Sequence, residues 1–250
     1  MWLVAVLSIL MAQDGQQGPR PGWPCAGGRP VDPAYIQTSE RTGGQVFLFQ
    51  KSEVAHSGVV MSASYTHPAT ILRAIGNLNG TRDFEFPVDT GVESLLFLVS
   101  LQCRNSIRVT RPSGAEMSES NSALNIDLQA GRILRVDHPD FGPWKIRLTG
   151  TGLFVVSVLA KADIALTRVD FSTPQTLKAW LSGLGSRLNV QLVDAAGDRI
   201  GEAAPMEQAA EGLYQAAFVP GAGLFRILVT GVDASERPFQ RVEPKLLSQR

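Results

Sequence analysis

The stretch DFEFPVDTGVESLLFLVSLQC, Asp83 to Cys103, decides the fold class. In its first part Phe84, Phe86 and Val88 alternate with Asp83 and Glu85. Side chains of a strand point by turns to opposite faces, so this is the period of a half-buried β-strand. ESLLFLVSLQC, beginning at Glu93, is apolar enough and long enough to be a second one.

The same texture continues downstream. SIRVTRPSG closes in a turn at Pro112-Ser113-Gly114, and ALNIDLQAGRILRVDHP reads as two strands about Ala130-Gly131. PWKIRLTGTGLFVVSVLAKA reads as two more about the TGTG of Thr149 to Gly152. Six or seven strands with turns at short intervals predict an antiparallel sandwich over residues 79–163. A second set follows from Ile164, with hairpin turns at Asp194–Asp198 and Pro220–Gly223. Its inward residues are expected to be Val190, Leu192, Tyr214, Ala216, Phe225, Ile227 and Val229, in an immunoglobulin-like sandwich over 164–245. Trp180 is expected in that core.

Upstream the pattern is α/β. Asp32 suits a helix cap, Pro33 the first helical position and Gly43 the left-handed residue past the end, giving a helix over Pro33 to Arg41. Val46-Phe47-Leu48-Phe49 is a strand apolar on both faces, and a helix is expected from Ser52 towards Tyr65. Residues 32–78 therefore form a short helix-strand-helix fragment. The fold class is mainly β: two antiparallel sandwiches preceded by that fragment. Nothing upstream is long enough to supply a parallel sheet around Val46–Phe49, which is expected either under the Ser52–Tyr65 helix and the first sandwich or as an open edge seeking a partner.

Residues 1–13 are an apolar run too short for a membrane span, which needs about 20 residues. They read as the core of a secretory signal with Ala12 near the cleavage point, although no Lys or Arg precedes them; a buried N-terminus is the competing reading. A Gln/Gly/Pro-rich linker, 14–31, follows. Lys+Arg and Asp+Glu are 23 each, so there is no cationic footprint for nucleic acid. The two cysteines, Cys25 and Cys103, either pair across a long loop in an oxidising compartment or stay as thiols.

Catalytic motifs are missing from the sequence. It has no Gly-x-Ser-x-Gly elbow, His-Glu-x-x-His helix, phosphate-binding Gly-x-x-x-x-Gly-Lys or dinucleotide fingerprint, and the expectation is no enzyme and no cofactor. VDHPDFGPW, Val136 to Trp144, is the richest polar loop. Asp137, His138 and Asp140 offer ligand atoms there, with Trp144 either a stacking platform or a core residue. Asp83, Glu85 and Asp89 hold oxygens for a hard cation, or are simply a solvated strand face and its turn. Asn79-Gly80-Thr81 is a glycosylation sequon or an Asn-Gly turn.

YIQTSERTGGQVFLFQKSEV resembles the last helix and strand of a von Willebrand factor A domain. DFEFPVD, SLLFLVS, VTRPSG and GPWKIRLTGTG are similar to the domain that follows it in hemicentins, a galactose-binding-like jelly roll, and LFRILVTGVDASERPFQRV resembles the immunoglobulin-like domain after that. The Asp-x-Ser-x-Ser metal motif of working A domains is missing; the nearest string, DFSTP at Asp170 to Pro174, ends in proline. Metal-dependent binding of that kind is therefore not implied. The resemblance implies a secreted or extracytoplasmic binding or adhesion module that touches protein or glycan through sandwich loops. The alternative is a structural spacer of a larger extracellular assembly.

Overall fold

The computed structural model describes residues 7–11 (backbone only), 31–66, 68–173, 175–217 and 223–248. Strand β1 (Leu7–Met11) precedes helix α1 (Pro33–Thr42), strand β2 (Val46–Gln50), a 3-10 turn (Lys51–His56) and helix α2 (Ser57–Thr66). A first β-unit holds β3 (Ala69–Val88), β4 (Val92–Thr110), β5 (Leu124–Asp127), β6 (Gly131–Asp137) and β7 (Gly142–Ala162). A second opens with β8 (Leu166–Thr173), β9 (Thr176–Leu181), β10 (Ser186–Val193), β11 (Arg199–Pro205) and β12 (Glu207–Ala210). It closes with β13 (Leu213–Ala217), β14 (Leu224–Val232), β15 (Pro238–Val242) and β16 (Leu247–Ser248).

The first unit is a single antiparallel sheet, β3-β7-β4-β6-β5. Its three long strands replace the shorter strands expected from sequence, because the glycines taken for turns are bends within strands. Gly80 pairs with Gly150, which also pairs with Arg104, and β4 is bulged on both sides of that line. A Cβ on Gly150 would lie 2.2 Å from the Cys103 carbonyl oxygen, so only glycine lets the backbones approach there. The expected boundary between residues 78 and 79 thus falls inside β3.

Bending folds each long strand over, and its two halves enclose one core. Phe84 is paired in register with Ile146, yet its ring meets Phe154 at 5.7 Å. Phe97 likewise meets Trp144, from the other half of the sheet, at 5.7 Å. Phe84, Phe86 and Val88 are buried while Asp83 and Glu85 are exposed, as the alternation requires.

The second unit is a sandwich of β11-β10-β14-β15 on β12-β13-β9-β8. Its core contains all seven expected inward residues. Trp180 differs. Leu177, Ala179 and Leu181 are buried, so the period of two turns Trp180 to the other face, where Arg168 stacks on it at 4.8 Å. Strands β11 and β12 lie in a stretch rich in Ala, Glu and Gly without alternation, because both are exposed edges with almost no core face. The turn Asp194–Asp198 links β10 to β11; residues 218–222, including most of the second expected turn, lie outside the described residues.

Helix α1 forms as its residues dictate. The Asp32 carboxylate accepts from Ala34 N at 2.9 Å, and Gly43, at φ +76°, donates to the Ser39 carbonyl. Strand β2 is wedged on the outer face of the first sheet. Phe47 and Phe49 pack with Val60 of α2 on Leu96, Leu98, Ile133 and Leu159, while Val46 and Leu48 meet Ile75, Ala130 and Val155. Burying each such side chain is worth about 1.5–3 kcal/mol. The strand is also paired in parallel with β1, Leu7 opposite Val46 through Met11 opposite Gln50, which gives a β-α-β unit. The apolar N-terminal run, too short to supply a whole sheet, supplies one partner strand for this edge. No helix among the described residues is long and apolar enough to cross a membrane.

A candidate binding surface where the two β-units meet

Buried polar contacts clamp the two units together. Arg73 of β3 and Arg226 of β14 are both fully buried and both paired with Glu40 of α1. Arg73 also donates to Gln45 Oε1 at 2.8 Å and to the Gly44 carbonyl at 2.7 Å, and Arg226 donates to the Ala195 carbonyl at 3.1 Å. Burial is the main influence on Arg226 and brings it down to about 10, with Glu40 opposing it, so the guanidinium stays charged at neutral pH. A second buried pair joins Asp89, after β3, to Arg241 of β15 at 2.8 Å. Gln240 Nε2 donates across the seam to the Ile71 carbonyl at 2.9 Å.

Loops from both units converge at one end of this seam. Thr90, in the β3-β4 turn, donates through N (2.9 Å) and Oγ1 (2.6 Å) to Asp233 Oδ2, in the β14-β15 turn. Asp233 Oδ1 accepts from Ser235 N and Arg237 N, which fixes the tip of that turn. Burial alone would raise the Asp233 carboxyl, but the bonds from Thr90, Arg237 and Ser235 outweigh it and hold the group below the usual range. Beside it the Arg237 guanidinium lies over the Phe141 ring at 4.5 Å. Phe141 is 48% exposed.

The loop singled out from sequence is therefore at this end, but its members have other work. Asp140 is paired with Arg111 at 2.7 Å and Asp137 with Arg135 at 3.2 Å. His138 is exposed in a left-handed conformation, φ +50°, and its backbone N donates to the Glu93 carbonyl at 2.7 Å. Trp144 is fully buried and its Nε1 donates to the Asp140 carbonyl at 2.8 Å; it belongs to the core, and Phe141 is the ring left at the surface. Phe141 sits between Asp140 and Gly142-Pro143, an apolar residue inside a turn sequence, and that was the available signal. Arg237 had none, because its role depends on a turn 96 positions away meeting the loop.

The other candidates do not assemble. The Arg147 hydrogen bond, chiefly, with Lys145 alongside, holds the Asp83 carboxyl far below the ordinary range, although burial opposes it. Asp89 is committed to Arg241 and Glu85 stays on the exposed strand face. Among the described residues no group of His, Cys, Asp and Glu is arranged to hold a metal ion. Asn79, Gly80 and Thr81 are exposed at the bend of β3. Cys103 is disulfide-bonded; Cys25 lies outside the described residues. A polar cleft of about 140 Å³ lies along the seam, lined among others by Arg82, Glu85, Asp198, Arg199 and Gln240.

Comparison with known proteins bears on the first β-unit. Residues 69–163 match the hemicentin galactose-binding domain-like family. The matched span begins with β3 and ends just past β7, so it coincides with the bent sheet; the fragment before residue 69 lies outside it. No curated protein matches the chain in sequence. Among solved structures, it is similar to the Bacillus licheniformis lipase BlEst2 in propeptide form, at 18% identity and TM-score 0.35 over 68% of this chain and 40% of that one. The Ig1-2 module of the Drosophila receptor protein tyrosine phosphatase DLAR is 12% identical, at TM-score 0.25, over 69% of this chain and 100% of that one. A Bacteroides uniformis β-glucuronidase is 8% identical, at TM-score 0.23, over 73% and 28%. The chain spans about two-fifths of the lipase's length.

Proposed function

We propose that this protein is a non-enzymatic extracellular binding or adhesion module that contacts a partner through the loops at the Phe141 end of the seam. The observation that carries the reading is the pairing of a half-exposed ring from the first β-unit with a guanidinium from the second, at the end of the seam where Asp233 ties the β14-β15 turn to Thr90 of the β3-β4 turn. Aromatic and arginine side chains are the ones that dominate binding energy at protein interfaces, and loops held on rigid sheets are where contact residues sit. Secretion is part of the proposal, supported by the family of residues 69–163 and by the disulfide at Cys103.

The test is capture from extracellular extracts on the immobilised full chain, beside Phe141→Ala as a control. A specific, saturable partner that the variant loses supports the reading; a partner held equally by both moves the contact elsewhere. A second reading, a structural spacer with no partner at these loops, is favoured by the buried clamp of Glu40 with Arg73 and Arg226, which suits a rigid connector. It predicts no saturable binding and a scattering profile of fixed shape.

A further inference from the structure

We infer that the Phe141–Arg237 surface takes an acidic, extended peptide segment of a protein partner, with a carboxylate on Arg237 and an apolar side chain on the exposed part of Phe141; this rests on the binding-module reading above. The first ground is hydrogen-bonding capacity left unspent. The charged groups around the site are largely spoken for: Asp140 by Arg111, Asp137 by Arg135, Glu93 by Lys161, and Glu236 by Arg187. Asp233 spends both oxygens on Thr90, Ser235 and the Arg237 backbone. Arg237 is exposed, and its guanidinium makes a ring contact but no ion pair or hydrogen bond with any described residue. Its N–H donors are therefore unspent, and they match the geometry of a carboxylate.

The second ground is preorganisation. A long arginine side chain ordinarily gives up rotamer freedom when it binds. Here stacking on Phe141 and the fixed turn beneath have already positioned it. Of the three non-glycine residues with positive φ among those described, His138 and Glu236 sit on the loops at this end, and Arg187, in the irregular start of β10, is paired with Glu236. Non-glycine residues in such conformations persist only where the surroundings hold them, and they gather at binding sites.

The third ground separates peptide from sugar. A sugar ring needs an open aromatic face to stack on, whereas Arg237 already covers one face of Phe141. What remains is a half-exposed hydrophobic surface beside a donor fork, the combination that an acidic-apolar peptide fills.

The experiment uses the full chain and a fluorescent, capped eight-residue peptide alternating glutamate and leucine, followed by anisotropy. The control peptide alternates glutamine and leucine, and an oligosaccharide of uronic acids is the competing acidic probe. The expected result is saturable binding of the glutamate peptide, at least tenfold weaker for the glutamine peptide, for Arg237→Gln and for Phe141→Ala, and weakened by added salt. Both side chains are exposed, so an unchanged melting curve certifies the fold of the variants. Equal affinity of wild type and variants, or of the two peptides, overturns the inference, as does the absence of saturable peptide binding. If only the uronic-acid probe binds and both variants lose it, the peptide assignment fails while the binding-module reading stands; capture that finds no partner sinks the reading itself.

Discussion

Arg73 and Arg226, from different β-units, grip opposite oxygens of one carboxylate, Glu40, in a site closed to solvent. The carboxylate comes from a third element, helix α1, so the helix, the bent sheet and the second sandwich are joined at one buried point. Two guanidinium groups against one carboxylate leave an excess of positive charge, which backbone carbonyls of Gly44, Ala195 and Pro244 and the Gln45 side chain offset.

Glu40→Gln should therefore be among the most damaging single changes in the protein. The amide turns an N–H donor towards one of the two guanidinium groups and removes the carboxylate charge that is paired with both. Breaking a buried pair from one side costs about 3–5 kcal/mol. Urea unfolding of wild type and variant measures it; a loss below about 1 kcal/mol would mean that the carbonyls alone hold the arginines.

The glycine line across the bent sheet gives a paired prediction. Gly80→Ala meets no atom within 4 Å, so its cost is the backbone conformation at φ +113° alone, about 1–3 kcal/mol. Gly150→Ala adds a Cβ 2.2 Å from a carbonyl oxygen and forces β4 and β7 apart, at about 3 kcal/mol or more. Thermal melts of the two variants check the order. Gly80→Ala proving the worse would remove the bend from its place in the fold.

Trp144→Phe tests the assignment of that ring to the core. Removal of Nε1 leaves the Asp140 carbonyl without this donor and opens a small void beside Phe97, together about 2 kcal/mol. Stability should fall in urea unfolding while the Arg237 peptide site keeps its affinity to within about twofold, or about 0.4 kcal/mol.

These variants also mark where the sequence was readable. Alternation about Phe84 and the capping residues Asp32, Pro33 and Gly43 are local signals, and the folded chain obeys them. The TGTG and Asn-Gly strings were misread because a glycine with positive φ serves a hairpin turn and a strand bend alike; only the pairing of Gly80 with Gly150 distinguishes the two. Long-range pairing was the blind spot throughout. Glu40 looks like an ordinary polar position of a short helix until Arg226, 186 residues away, is brought beside it. Arg237 escaped for the same reason, while Phe141 carried only the faint signal of an apolar residue inside a turn sequence.

The disulfide gives a further test. Cys103 is bonded and Cys25 is the chain's other cysteine, so we propose that they pair and tie the N-terminal segment to the bend of β4. Closing a loop of that length stabilises by about 4 kcal/mol in the chain-entropy model. Non-reducing proteolysis and mass spectrometry should recover one cross-linked peptide pair, and reduction should lower the melting temperature. Recovery of intermolecular dimers instead would defeat the pairing.

The Asp233 turn makes the end surface sensitive to acid. Its carboxyl is held below the unfolded value, so the folded state binds fewer protons than the unfolded one in the interval between the two. The stabilisation is complete above the unfolded pKa of about 3.9 and is lost as pH falls through the folded value. Asp233→Asn removes it at every pH, costing about 1–3 kcal/mol at neutrality because Thr90 loses a charged acceptor. The stability difference between wild type and variant should then be flat from pH 7 to 5 and shrink below pH 4. Asp83, held down by Arg147, titrates in the same acid range in both proteins and cancels in the comparison. A difference that stays constant to pH 2 would show that the turn is held by shape alone and that the carboxylate charge contributes nothing to the placement of Arg237.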